Sequence, residues 1–271
     1  GIVKLLLSLD GDRHVDVHAE DEEAFRSACK NGHEGIVQLL LSLDGDRRID
    51  VHTEDEEAFR SACRNGHEGI VQLLLSLDGD RRIDVHVKFD AAFQDACENG
   101  HEGVVKLLLS LDGDRRIDVH TECEAAFRSA CRQHSAGVVR LLLSLPPDRG
   151  FAWDTQEQQA LLVDCLKRVL SFRFRPYIAE ALLRCAPLPP GCLQSLMISR
   201  HSLFPRRERP TVGAHDAAVA QQVLLMMVGS GTHHNPQWHI TCVEPRDYSD
   251  DLMSALALFC VLMPEHKQQL L

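Results

Sequence analysis

Aromatic residues are scarce: they make up 5 % of the 271-residue chain, with two tryptophans and two tyrosines. A core short of large rings has to be built from Leu, Ile, Val and Ala, which suits stacked helices. Long hydrophobic runs are missing too. The longest, Leu252 to Met263, is closed by Asp251 and Pro264 and is too short to cross a bilayer, so it reads as a buried helix. Neither a membrane span nor a signal peptide is expected. Basic residues are in deficit, with 29 Lys and Arg against 40 Asp and Glu and a net charge of −11. That argues against nucleic acid as the partner of the whole chain, because phosphate attraction needs a basic face. What remains, 44 % hydrophobic and 25 % charged residues, is ordinary for a folded soluble protein.

The charge is uneven. Residues 1–154 hold 30 acidic and 18 basic residues, whereas residues 155–271 hold 10 and 11. The ten cysteines are informative by their placement. Cys29, Cys63, Cys97, Cys131 and Cys165 recur every 34 residues, with no second series to pair with. One thiol per interval in a fixed slot is a packing residue rather than half of a disulfide framework, which favours a reducing intracellular compartment, cytoplasm or organelle interior.

The same interval governs everything around those cysteines. Gly35, Gly69, Gly103 and Gly137 open GIVQLLLSL, GIVQLLLSL, GVVKLLLSL and GVVRLLLSL, and Gly1 opens GIVKLLLSL in the same register. A fixed period of this length signals a solenoid, in which each unit buries its apolar face on its neighbours. Each unit reads as two short helices and a long connection. In the first helix Ala58, Phe59, Ala62 and Cys63 form one apolar stripe, and Asn65-Gly66 ends it, since glycine takes the left-handed backbone of a helix terminus at little cost. The second helix, Ile70 to Leu77, is apolar nearly all round and is expected to be sandwiched. Asp78-Gly79-Asp80 turns the chain, and Arg82-Ile83-Asp84-Val85-His86 alternates as an extended strand or hairpin arm would.

The unit resembles the ankyrin repeat. A-C-x-N-G-H-E-G-[IV]-V-x-L-L-L is similar to that family's A-A-x-x-G-H-x-x-I-V-x-L-L-L, and I-D-V-H is similar to its A-D-V-N. The resemblance spans residues 1–154 and is repeated in register. It departs at Glu57-Ala58-Phe59-Arg60, where the family has T-P-L-H, and in a period of 34 rather than 33. Tetratricopeptide repeats share the longer period, but they join two longer helices by short turns and carry a Trp-to-Pro signature that is absent here. The resemblance implies an all-α, ankyrin-type helical-repeat solenoid with short hairpin loops.

Residues 155–271 keep the logic and lose the consensus. Ala160 to Cys165 stands 34 residues after Ala126 to Cys131, while its expected partner helix, Tyr177 to Leu183, is delayed by an insert, Phe172-Arg173-Phe174-Arg175-Pro176. Cys192–Ser199, Asp216–Val228 and Asp251–Met263 are further helix candidates. This half is expected to be divergent repeats or a helical cap. The chain opens on a second helix without Met and ends on Gln-Leu-Leu; since terminal repeats need a polar outer face, residues upstream of Gly1 are expected.

No arrangement for chemistry stands out. His18, His52, His86 and His120 form one ladder and His33, His67 and His101 another, but metal ligands must converge, and ladder members are spaced by a repeat, about 10 Å for stacked helices. They are read as hydrogen-bonding residues of loops and turns. His233, His234 and His239 with Cys242 form the densest candidate for zinc, at no familiar spacing, and are read as a loop. Ser61, Ser129 and Asp95 recur without a base brought to a nucleophile. Gly229-Ser230-Gly231 lacks the Lys and Ser/Thr of a phosphate loop. No catalytic residues and no cofactor are expected.

The repeats differ where the ankyrin family, by resemblance, holds its partners: at the hairpin tips and the front of the first helix. The tips read Ala19-Glu20-Asp21-Glu22, Thr53-Glu54-Asp55-Glu56, Val87-Lys88-Phe89-Asp90 and Thr121-Glu122-Cys123-Glu124, and the ends of the first helices carry Lys30, Arg64, Glu98 and Arg132. Glu20, Lys30, Glu54, Asp55, Arg64, Lys88, Phe89, Glu98, Glu122 and Arg132 are therefore the candidate contact residues, with Phe89 the one aromatic among acidic tips. The expectation is a non-catalytic scaffold or adaptor binding a protein partner, basic or of mixed charge, through the hairpin tips and the concave face. The alternative is a structural subunit integrated in a large multiprotein or ribonucleoprotein assembly.

Overall fold

The computed structural model describes residues 1–9, 15–171 and 176–185. The chain divides into two compact units, Gly1–Leu142 and Leu143–Leu271. The further helix candidates at Cys192–Ser199, Asp216–Val228 and Asp251–Met263, the glycine pair at 229–231, and His233, His234, His239 and Cys242 lie outside the described residues.

The first unit repeats one motif. A first helix (α2, Ala19–Lys30; α4, Thr53–Asn65; α6, Val87–Asn99; α8, Thr121–Arg132) is followed at once by a second of 8 residues (α3, Glu34–Leu41; α5, Glu68–Leu75; α7, Glu102–Leu109; α9, Ala136–Leu143). The leading α1, Ile2–Leu7, occupies a second-helix position. First helices pack on first helices, α2 on α4 on α6 on α8, and second helices on second, α3 on α5 on α7. This two-layer, all-helical stack is a helical-repeat solenoid, with no strand among the described residues.

The reason lies in where each side chain falls. Phe25, Phe59, Phe93 and Phe127 occupy the same slot in four repeats and are all buried, as are Cys29, Cys63, Cys97 and Cys131. On the second helix Ile70, Val71 and Leu74 are buried, whereas Leu73 and Leu75 are half-buried and Gln72 and Ser76 exposed. The second helix is thus covered on one broad face and open on its back, a narrower burial than its composition suggests. Between the helices, His67 N–H donates to the Ala62 carbonyl at 3.0 Å and Gly66 N–H to the Cys63 carbonyl at 3.3 Å, the paired closure of a helix that ends on a left-handed residue. Gly66 has φ +76 and also faces His101 of the next repeat, so an added Cβ would lie 2.4 Å from the imidazole.

The connecting segment differs from its expected strand or hairpin arm. It forms a 3-10 turn (Gly45–Arg47, Gly79–Arg81, Gly113–Arg115) and then an extended stretch that buries Ile49 and Val51, Ile83 and Val85, or Ile117 and Val119. The alternation is real, but side chains replace strand pairing. Glu22 Oε1 accepts from Asp50 N–H and Glu56 Oε1 from Asp84 N–H, at 3.1 and 3.2 Å. The Arg47, Arg81 and Arg115 guanidiniums donate to the Leu7, Leu41 and Leu75 carbonyls, 40 residues earlier, placing a cation on the C-terminal end of the preceding repeat's second helix.

In the second unit α10, Gln156–Ser171, packs against α11, Pro176–Cys185. Leu161, Leu162, Cys165, Leu166 and Val169 of α10 are buried, as are Ile178, Ala179 and Leu182 of α11. Phe151 and Trp153 stack with ring centroids 5.0 Å apart. None of the described helices is long and apolar enough to cross a membrane.

Candidate functional site

The segments expected to be hairpin tips form the first turn of each first helix, and that turn is left-handed. Glu20-Asp21-Glu22, Glu54-Asp55-Glu56, Lys88-Phe89-Asp90 and Glu122-Cys123-Glu124 all have φ between 53° and 64°. Three such residues in a row cost about 1–2 kcal/mol each for L-amino acids, so the turn has to be held from outside. Two devices hold it. The residue five positions beyond the second left-handed residue bonds back to that residue's carbonyl: Arg26 Nε to Asp21 O at 2.9 Å, Gln94 Nε2 to Phe89 O at 2.7 Å and Arg128 Nε to Cys123 O at 2.9 Å. The histidine before the turn bonds the carboxylate that ends it: His18 Nδ1 to Glu22 Oε1 at 2.6 Å, His52 Nδ1 to Glu56 Oε1 at 2.7 Å and His86 Nδ1 to Asp90 Oδ1 at 2.6 Å.

This geometry sorts each tip into an outer and an inner part. Glu20, Asp21, Glu54, Asp55, Lys88, Phe89, Glu122 and Cys123 are exposed, with Phe89 at 69 %. Glu22, Glu56 and Asp90 are buried, so the last residue of these three tips reaches inward and belongs to the packing between repeats, whereas Glu124 is half-buried. Among the candidate contact residues Lys30, Arg64 and Arg132 are exposed and Glu98 is half-buried.

Several candidates meet one another. Lys88 Nζ lies 3.1 Å from Asp55 Oδ2, Arg132 Nη2 lies 3.5 Å from Glu98 Oε1, and Arg64 Nη2 lies 2.8 Å from Asp95 Oδ2. These pairs cross from one repeat to the next and neutralise most of the basic charge on this face. The Glu20, Asp21, Glu54 and Glu122 carboxylates have no ion pair among the described residues. The outer tips therefore present acids at Glu20, Asp21, Glu54 and Glu122 and an exposed ring at Phe89. Asp95 went unrecognised as a pairing partner because its slot holds Ser in the neighbouring repeats (Ser61, Ser129).

The two histidine ladders do different work. His67 Nε2 and His101 Nε2 meet the carbonyls of Lys30 and Arg64 at 2.9 and 2.8 Å, bonding the foot of one repeat to the foot of the one before. His18, His52 and His86 face forward, with Nε2 at 2.8, 2.8 and 2.9 Å from the carbonyls of Asp46, Asp80 and Asp114. They supply links between repeats where T-P-L-H is replaced. The His18 pKa is raised, chiefly by its bond to Glu22. Burial pulls those of His52 and His86 down, but the carboxylate and carbonyl bonds outweigh it and both end raised. Burial likewise pushes the Cys29 thiol up to about 12 and raises those of Cys63 and Cys97, the reverse of what a nucleophilic thiolate needs.

Residues 1–88 match the family model of ankyrin repeats, in three copies. The first repeats of the stack are thus ankyrin repeats, helical units that are generally protein–protein interaction modules and typically non-catalytic. No curated protein and no solved structure matches the chain.

Proposed function

We propose that the protein is a non-catalytic scaffold or adaptor that holds a basic protein segment against the outer tips and the fronts of the first helices. The observation that carries this reading is Phe89. A phenylalanine 69 % exposed on a left-handed turn adds nothing to the buried core, and the tips of the other repeats carry the exposed acids Glu20, Asp21, Glu54 and Glu122. An aromatic anchor ringed by charge is the composition that binding hot spots favour. In this reading residues 1–154 form the recognition array, and residues 155–271 follow as divergent helical repeats or a cap. The protein acts in a reducing compartment inside the cell, since one buried thiol per repeat (Cys29, Cys63, Cys97, Cys131) is compatible with it.

The test is affinity capture with the wild-type chain and with Phe89→Ala, followed by titration of the captured partner. The expected loss is about 1–3 kcal/mol in binding with an unchanged melting temperature. Charge reversal at Glu20 and Glu54 is expected to slow association and flatten its salt dependence, because exposed acids steer a partner more than they anchor it. A Phe89→Ala chain that melts lower and binds as well as before would reject the tip surface. The second reading, a subunit built permanently into a larger assembly, draws support from the exposed Ile2, Leu5 and Leu6 of α1. It predicts a chain that aggregates unless co-expressed with its neighbours.

A further inference from the structure

We propose that His18, His52 and His86 are doubly protonated imidazolium ions that lock consecutive repeats together, and that losing the proton releases the lock. A neutral imidazole has one N–H donor and one acceptor nitrogen. In these three rings both nitrogens face acceptors: a carboxylate oxygen at 2.6–2.7 Å on one side and a backbone carbonyl at 2.8–2.9 Å on the other. A carbonyl cannot donate. The carboxylate oxygens of Glu22 and Glu56 already accept a backbone N–H, from Asp50 and Asp84, and Asp90 accepts the Thr121 hydroxyl at 2.8 Å. Each contact is a hydrogen bond only if the ring supplies both protons.

The surroundings agree. His18 is faced by the carboxylates of Glu22 on its own helix and Asp16 before it, and by the Asp46 carbonyl from the next repeat. His52 is faced by the Glu56 and Asp50 carboxylates and the Asp80 carbonyl, and His86 by the Asp90 and Asp84 carboxylates and the Asp114 carbonyl. The nearby cations are committed elsewhere. Arg48 and Arg82 hold the Asp80 and Asp114 carboxylates through paired bonds of 2.6–2.7 Å, and Arg47, Arg81 and Arg115 sit on helix-end carbonyls. Glu22 and Glu56 each bury a second oxygen without a donor, so the imidazolium is the charge that balances a buried carboxylate. His120 holds the same register, with Glu124 further away at 3.6 Å.

Deprotonation turns one contact of each ring into lone pair against lone pair. The neutral carbonyl bond is the weaker of the two, so the ring keeps its carboxylate and lets go of the next repeat's 3-10 turn. The folded rings hold their protons more tightly than the ordinary value of 6.5. Their stabilisation is therefore complete below about pH 6.5 and disappears as pH rises through the raised folded value. That loss of the proton makes the ladder a proton-operated coupling between repeats. It rests on the stack and not on what the tips bind.

Two measurements on the full chain test it. Nitrogen-15 NMR of the imidazoles should show both nitrogens of His18, His52 and His86 protonated at about pH 6, with titration above the ordinary histidine value. Urea unfolding should show a midpoint that falls between about pH 6 and about pH 8.5, and a fall that shrinks with each histidine replaced in the series His52→Gln, then His52→Gln with His86→Gln. A single neutral tautomer at about pH 6, or a fall that the variants leave unchanged, would overturn the proposal. If the variants do not fold, the wild-type titration decides alone.

Discussion

Helices α1 and α5 carry nearly the same residues, Ile2-Val3-Lys4-Leu5-Leu6-Leu7 and Ile70-Val71-Gln72-Leu73-Leu74-Leu75. Yet Ile2 is 78 % exposed and Ile70 1 %, and Leu6 is 42 % exposed where Leu74 is fully buried. Sequence equality with opposite burial shows where the core of a solenoid resides. Helix α5 is covered by α4 of its own repeat and by α3 and α7 of the neighbouring repeats, so both sources build the core. The first helices say the same, since α4 meets α2 on one side and α6 on the other. Stability in such an array is a sum of interfaces, and each prediction below compares positions that differ in the interface and match in the residue.

The largest effect belongs to Leu74. Leu74→Ala removes a fully buried side chain at the contact between α5 and its neighbours and should cost about 2–5 kcal/mol in a denaturant titration. An effect below about 1 kcal/mol would mean that the second-helix layer is not packed as described.

A smaller effect separates two glycines of like backbone. Gly66 and Gly79 have φ +76 and +66, but only Gly66 has a neighbour, His101, in the space of an added Cβ. Gly79→Ala should cost about 1 kcal/mol for the left-handed backbone alone. Gly66→Ala adds the displacement of an imidazole bonded to the Arg64 carbonyl and should reach about 2–4 kcal/mol. Equal midpoints for the two variants would remove His101 from the foot of the stack.

The fold was legible because its signals are redundant. Phe59, Cys63, Gly66 and Leu74 each recur in register, and each does in the structure what its chemistry implies. The tips were not legible. A left-handed turn usually announces itself by glycine, or by Asn or Asp, whereas here Glu54, Lys88 and Glu122 adopt it, held by Arg and Gln contacts five or six residues ahead. Burial of Glu22 and Glu56 was equally hidden, because a carboxylate in an acidic run reads as solvated until its histidine and the next repeat's N–H are placed around it. The ladder of His18, His52 and His86 could be counted in the sequence. That both nitrogens of each ring face acceptors depends on the Asp46, Asp80 and Asp114 carbonyls, which carry no sequence signal at all.

The smallest effect completes the comparison. Leu6 is the counterpart of Leu74 in residue type and register, with 42 % of its surface open. Leu6→Ala leaves little cavity behind, and alanine is at least as good a helix former as leucine. The change in unfolding free energy should stay under about 1 kcal/mol and should not vary with protein concentration. A cost approaching that of Leu74→Ala would mean that the α1 face is covered in solution. If that cost also grew with concentration, the cover would be another copy of the chain, since self-association makes apparent stability depend on concentration. The pair Leu6→Ala and Leu74→Ala thus measures, with one residue type in one register, how much stability a second helix draws from the helices packed on it.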